Sequence, residues 1–187
     1  RRPGMVEAIH KEIRGLCQLG TFELVKMPDR QRPIDSRIVL KTKYRADGTF
    51  DKDKARLVAR GFLAKMGVDY YSTFSPMASL TAVRLLCSLA LHRKDPLRHM
   101  DVPQAFIQSQ IDATSYLKLP LGIYVERDGR RHTVVRLVKA LYGLKQSPQL
   151  WNKMLTEFLV KQCGLVRGKS ETSMFYKHQD GKHLIVL

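Results

Sequence analysis

The sequence predicts an α+β fold, and three observations carry that prediction. Apolar residues recur at helical spacing around 5–16, 80–91 and 148–163. Between and after those stretches lie strand-like segments at 21–25, 37–44, 134–138 and 173–176, with a last apolar run at 184–187. The boundaries are punctuated by glycine, proline and serine in the places where helices and hairpins start and stop. At 187 residues the chain is long enough for one domain with a real core, or for two tightly packed subdomains. A composition of 44% hydrophobic and 27% charged residues excludes a disordered chain.

Met5, Ile9, Ile13 and Leu16 define an amphipathic first helix, and Gly20 stands where a C-terminal glycine would end it. Thr21 to Val25 alternates as a strand before a turn region at Pro28 to Pro33. Arg37 to Tyr44 reads as a second strand, closed by Ala46-Asp-Gly48, and Phe50 onward supplies its hairpin partner. In the second helix Val83, Leu86, Cys87 and Ala90 form one face, which Leu85 and Leu89 widen until burial on two sides is expected. Ser79 can cap its start, His92, Arg93 and Lys94 suit its C-terminal dipole, and Pro96 prevents continuation. The third helix has Ser147 as its expected N-cap and Pro148 at its first position. Trp151, Leu155, Phe158 and Leu159 make up its apolar face, and Gly164 ends it.

Thirty-three Lys and Arg against 17 Asp and Glu give a net charge of +16, a field that attracts polyanions, of which nucleic acid is the commonest. Cys17, Cys87 and Cys163 are odd in number and far apart, so they suggest neither a zinc pair nor a disulfide framework but buried thiols in a reducing compartment. No apolar run approaches the roughly 18 residues of a membrane span, and no membrane partner is expected. The six histidines show no metal-ligand spacing. The first residue is Arg1 with no secretory leader after it, which reads as an internal piece of a polyprotein.

Two stretches carry a more specific signal. One is Lys54-Ala-Arg-Leu-Val-Ala-Arg-Gly-Phe62, running on to Gly67-Val-Asp-Tyr-Tyr-Ser-Thr-Phe-Ser-Pro76; the other is Met100-Asp-Val-Pro-Gln-Ala-Phe106, followed by Leu141-Tyr-Gly-Leu-Lys-Gln-Ser-Pro148 and Trp151. Together they resemble the reverse transcriptase of copia-type retrotransposons, over nearly the whole chain from about Gly20. The resemblance implies the fingers and palm of a polymerase, with a mainly antiparallel palm sheet packed on helices, present in part. Residues 20–76 would be fingers-like with a basic hairpin, and 77–187 palm-like. In this family an apolar strand continues into a Tyr-x-Asp-Asp turn with two further carboxylates. The chain stops at Leu187, as that strand begins, so the expected catalytic set is incomplete and the fragment alone is expected to be inactive.

The resemblance assigns Asp101 as the catalytic carboxylate and metal ligand, in a centre of two Mg²⁺ ions that Mn²⁺ can replace. Its place after Leu97-Arg-His-Met100 and before a proline suggests a strand end; from spacing alone, a lone Asp there serves equally as a helix cap or turn former. Phe106 would stack under the incoming sugar, or be a core aromatic, or both. Val102 and Ala105 would bring backbone amides to the triphosphate. Tyr142 would line the pocket, Gly143 would let backbone approach the nucleotide, and the Ser147-Pro148 helix start would offer amides to a phosphate.

Alternation puts Lys54 and Arg56 on one strand face, and the resemblance gives both to the nucleotide's phosphates. Lys41, Lys43, Arg60 and Lys145 are the expected nucleic-acid contacts; any one of these cations is equally read as a solvated charge. Implied partners are an RNA or DNA template-primer, deoxynucleoside triphosphates, and the rest of a Pol polyprotein with thumb, RNase H and integrase. The expected location is intracellular, in a cytoplasmic particle or the nucleus.

Some positions depart from the family pattern. Arg37-Ile-Val-Leu-Lys41 stands for the usual Lys-Trp-Val-Phe-Lys, Pro103-Gln104 for Lys-Thr, Ser109 for Gly, Gln149 for Arg, and Ser72 for Glu. None removes a catalytic group, and they leave open whether the element is intact or a decayed copy. The alternative function is a basic remnant that binds nucleic acid without chemistry.

Overall fold

The computed structural model describes residues 3–25 and 31–187. Half of the turn region expected at 28–33, residues 28–30, lies outside them. Helix α1 (Pro3–Gln18) ends as its sequence requires. Gly20 takes φ +64°, its amide donates to the Cys17 carbonyl, and the Thr21 amide donates to the Leu16 carbonyl, both at 3.0 Å. This pair of bonds satisfies carbonyls that the helix leaves open.

The chain then builds a five-stranded sheet in the order β1 (Phe22–Leu24), β7 (Val134–Leu137), β4 (Tyr116–Lys118), β2 (Ile34–Tyr44), β3 (Phe50–Ala59). All neighbours are antiparallel except β2 and β4, which run parallel through Ile34 and Asp35. The strands come from both sides of Pro76. The outer hairpin β2–β3 turns at Arg45–Thr49, where Gly48 takes φ +81° and Asp47 accepts from the Thr49 amide and hydroxyl.

Edge strand β3 needs partners for its outward amides. Glu12 of α1 accepts from the Leu57 amide at 3.2 Å, and the Tyr142 carbonyl accepts from the Ala59 amide at 2.8 Å. The main core lies under this sheet, with Leu16, Leu57, Ile107, Leu117, Val135 and Leu141 all buried.

The remainder is looser. A small hairpin, β5 (Val125–Arg127) with β6 (Arg130–His132), forms a sheet of its own and packs Val125 against the main core. A three-stranded sheet, β8 (Val166–Arg167), β9 (Phe175–Gln179) and β10 (Lys182–Val186), packs Phe175 against Leu159 and Leu165. Helix α3 (Ser147–Glu157) runs into a π turn at Phe158–Gln162. That wider turn rotates the expected apolar face, so Leu159 is buried while Phe158 is exposed. Gln146, not Ser147, is the N-cap. The Ser147 hydroxyl instead donates back to the Leu141 carbonyl at 2.6 Å and is fully buried, so this helix start is not open to a phosphate.

Helix α2 (Leu80–Arg93) corrects a further expectation. Ser79 caps it, with its hydroxyl accepting from the Ala82 amide, but only Ala90 is buried, and Leu80, Val83, Leu85 and Leu91 face outward. An apolar stripe records what a helix can bury, not what covers it. Cys17 and Cys87 are exposed and Cys163 half-buried, contrary to the expected buried thiols. No described helix is long and apolar enough to cross a membrane.

Candidate nucleotide and nucleic-acid site

The hairpin's two faces differ sharply. Ala55, Leu57 and Ala59 of β3 turn inward, and the alternate residues Lys52, Lys54, Arg56 and Val58 turn outward. Cross-strand register places Lys43 opposite Lys52, Lys41 opposite Lys54, Val39 opposite Arg56 and Arg37 opposite Val58. The outer face thus carries six cations on adjoining positions, while Asp53 turns inward and accepts from Thr42 at 2.7 Å.

Like charges directly across a sheet repel, and Lys54 registers it. Desolvation first, then Arg56 and Lys43, push its pKa below the usual lysine value, and Glu12 only partly opposes them. A polyanion on this face would relieve that repulsion.

Beside it sits the aromatic part of the site. The Arg56 guanidinium lies 5.3 Å from the centre of the Tyr142 ring, close enough for cation–π attraction. Tyr142 meets Phe106 edge to face, with centroids 5.1 Å apart and planes at 60°. Burial raises the Tyr142 phenol's pKa. Arg56 opposes that rise, and Glu12 and Asp101 add to it.

Arg56, Phe106 and Tyr142 therefore converge from three segments distant in sequence, and Asp101 lies five residues before Phe106. Phe106 is on a short 3₁₀ turn, Ala105–Gln108, after Gln104 at φ +52°; Ala105 and Phe106 are half-buried, whereas Asp101 and Val102 are exposed. No strand precedes Asp101, as 95–102 has no sheet partner, so its expected strand-end position is not what the fold supplies. Among the described residues Asp101 makes no hydrogen bond or ion pair, and no group of three or more His, Cys, Asp or Glu could hold a metal. One carboxylate does not make a two-ion centre.

Gly143 has a plainer role than nucleotide approach. It takes φ +87°, and a Cβ there would lie 2.2 Å from the Ala59 carbonyl oxygen. A Cβ on Gly61 would in turn meet the Gly143 oxygen at 2.2 Å. The two signature loops interlock backbone to backbone, which only glycines permit. Gly61 lies within the Lys54–Phe62 stretch, but its pairing with Gly143 is non-local, and no local pattern shows it.

The interlock continues. The Gln146 side-chain amide donates to the Asp69 carbonyl at 2.8 Å, and Asp69 accepts from the Lys65 amide at 2.7 Å. Lys145 donates to the Ala64 carbonyl and the Tyr70 hydroxyl and lies 5.0 Å over the Tyr70 ring. Lys145 is thereby turned into this loop contact, while Lys41, Lys43 and Arg60 are exposed.

Residues 19–187 match the model of the family described as reverse transcriptase (RNA-dependent DNA polymerase). The chain is 33% identical over 183 residues to the retrovirus-related Pol polyprotein from transposon TNT 1-94 of Nicotiana tabacum, covering 98% of this chain and 14% of that protein. It is 36% identical over 181 residues to the Pol polyprotein from transposon RE1 of Arabidopsis thaliana, covering 96% and 12%. A truncated Ty1-A Gag-Pol polyprotein of Saccharomyces cerevisiae matches at 33% over 173 residues, 88% of this chain and 14% of that protein. No solved structure matches significantly. The chain belongs to the reverse transcriptase family, in the branch found in Pol polyproteins of copia-type retrotransposons, and spans about an eighth of the length of these relatives.

Proposed function

We propose that this chain supplies the nucleotide-facing part of a template-directed DNA polymerase, which adds a deoxynucleotide to a primer 3′-hydroxyl with release of pyrophosphate. The observation that supports it most is the convergence of Arg56, Tyr142 and Phe106 from the hairpin, the segment that follows Asp101, and the 140–150 loop. Arg56 presents a fork of donors suited to phosphate, with Lys54 as a second point charge. Phe106 offers a half-buried ring against which a sugar can rest, and in this reading Val102 and Ala105 bring backbone amides to the triphosphate, with Gly143 next to Tyr142. Lys41, Lys43 and Arg60 hold the RNA or DNA backbone, with Lys145 bracing the loop beneath.

In this reading Asp101 is one ligand of a magnesium pair, replaceable by manganese, whose other carboxylates come from the family's Tyr-x-Asp-Asp motif. Asp101 alone does not fit two ions, so no catalytic step is assigned to it here. The working protein acts within a Pol polyprotein, in a cytoplasmic particle or the nucleus, and the 187-residue chain by itself extends no primer.

The six-cation hairpin face, together with a single carboxylate, favours a second reading: binding of nucleic acid without chemistry. One titration series tests both. A labelled primer-template is titrated with the chain at rising salt, with and without the matching deoxynucleotide. Binding of a polyanion gives a log affinity that falls with log salt by about 0.7–0.9 per phosphate neutralised. The polymerase reading expects the matching nucleotide to tighten the complex and Arg56→Ala to abolish that gain. If the matching and mismatched nucleotides act alike, only the binding reading stands, and a flat salt dependence sinks both.

A further inference from the structure

The hairpin of β9 and β10 carries two exposed side chains that neither the core nor the nucleotide site uses. Its two-residue turn, Asp180-Gly181, has φ angles of +51° and +73°, the left-handed pair that a tight Asp-Gly hairpin demands. That turn sets the register, and the register puts His178 directly opposite His183. Five residues apart in sequence, the two meet only through the ladder. Their ring centres lie 4.4 Å apart with planes at 36°, yet the two Nδ1 atoms are 3.1 Å apart. The rings therefore lean toward each other at their nitrogen edges. By alternation they share a face with Tyr176 and Ile185, while Lys177 and Lys182 fall on the opposite face with the buried Phe175. Lys177 is engaged there, donating to the Cys163 carbonyl at 3.3 Å.

Two ring nitrogens this close share either a proton or an ion. A neutral imidazole offers Nδ1 as a ligand, and zinc–nitrogen bonds are about 2.0–2.1 Å long. Two such bonds to nitrogens at the observed separation enclose about 95–102° at the ion, between the right angle of a tetragonal site and the tetrahedral angle. The pair is already spaced as a chelate, and neither strand has to move. Imidazole suits Zn²⁺, Ni²⁺ and Cu²⁺, whereas Mg²⁺ takes oxygen ligands. Among the described residues no third His, Cys, Asp or Glu completes a cluster, so water fills the remaining positions of an ion held at this exposed face.

We propose that His178 and His183 form a two-histidine site for a divalent transition ion, which cross-links β9 to β10 through the two Nδ1 atoms. The site uses none of the residues of the nucleotide site, so it stands or falls independently of the polymerase reading. A bound ion pins the hairpin whose far end pairs Val186 with Phe175 in the small core of Leu159 and Leu165. The test titrates the 187-residue chain with Zn²⁺ alone, next to His178→Ala, His183→Ala and the double variant. In the imidazole nitrogen NMR spectrum of the unmodified chain, two of the six histidines respond, at Nδ1, and they are the two that the variants remove. Either single substitution weakens Zn²⁺ binding by about 100-fold, the low end of what linking two ligands on one scaffold gains, and the double variant loses no more than either single one. Zn²⁺ slows amide exchange along β9 and β10 and leaves β2 and β3 unchanged, and Mg²⁺ at the same concentration does neither. Single substitutions that leave Zn²⁺ affinity unchanged, or losses that add in the double variant, overturn the site. So does a spectrum in which only one of the pair responds, or neither, since a chelate engages both rings at once.

Discussion

Residues 55–75 and 140–150 meet glycine against glycine, with Gly61 and Gly143 each leaving no room for a Cβ on the other's loop, whereas residues 77–102 hold Met77, Leu80, Leu85, Leu91, Leu97 and Met100 largely in the open. Both regions carry family signatures, yet they are fixed by different means. The first is fixed by backbone proximity and by Gln146 and Lys145 reaching into the 64–70 loop. The second is tethered at one end, where Ser79 caps α2 and its own amide donates to Glu171 at 3.2 Å. Arg56 and Tyr142 stand on the fixed region, and Asp101 on the open one. The arginine and the tyrosine should therefore be positioned more rigidly than the carboxylate.

The largest expected effect comes from breaking the interlock. Gly143→Ala must place a methyl group within the Ala59 carbonyl's contact distance and adopt φ +87°. Steric overlap with backbone and a left-handed conformation add, and we expect a loss of about 3 kcal/mol or more. At roughly 2–4 °C per kcal/mol for a chain of this size, the melting temperature falls by about 6–12 °C. A melt within 2 °C of the unmodified protein, as about 0.5 kcal/mol would give, means the loops do not meet as described.

How much of this was legible in the sequence follows from whether a feature is local. The Gly20 helix stop, the Ala46-Asp-Gly48 turn and the shared outer face of Lys54 and Arg56 depend on neighbours a few residues away, and each appears where the pattern placed it. The Gly61–Gly143 contact and the Gln146–Asp69 bond join residues about 80 apart, and nothing in either local pattern names its partner. Helix α2 failed for a related reason: its apolar width promised burial, but burial needs a second surface. Ser147 missed by one position because its hydroxyl found the Leu141 carbonyl, a bond within the loop that competes with helix capping.

A second, smaller test bears on the tether. Ser79→Ala removes the oxygen that accepts from the Ala82 amide, at a cost of about 1 kcal/mol. Because α2 has little buried surface to hold it, the loss should appear as faster amide exchange along α2 and not along β3. Uniform change across both would show that the two regions open as one unit.

Glu12 tests the other side of the comparison by pH. Burial raises its pKa above the usual 4.5, against the lowering from the Leu57 amide, Lys54 and Arg56. A carboxyl with a raised folded-state pKa binds more protons folded than unfolded between the two values. Its contribution is thus fully present below the unfolded pKa and is lost as pH rises through the folded one. Glu12→Gln keeps an acceptor for the Leu57 amide while removing the charge, so it should flatten that part of the stability profile and leave neutral-pH stability equal or higher. A steeper profile in the variant would reverse the assigned direction.

The smallest effect expected is also the most discriminating. Leu85 keeps 68% of its surface exposed on α2, so Leu85→Ala removes little buried area, and alanine is at least as good a helix former. Stability should change by no more than about 0.5 kcal/mol, as at an ordinary surface position. A leucine in a packed core would instead cost about 2–5 kcal/mol on truncation, by lost transfer energy and the cavity left behind. Measured next to Gly143→Ala in the same denaturant series, a near-silent Leu85→Ala confirms that α2 stands by its cap and its tether. A cost in the core range means that α2 is covered in solution, and then Asp101, which follows it by eight residues, is held as firmly as the arginine and tyrosine it must work beside.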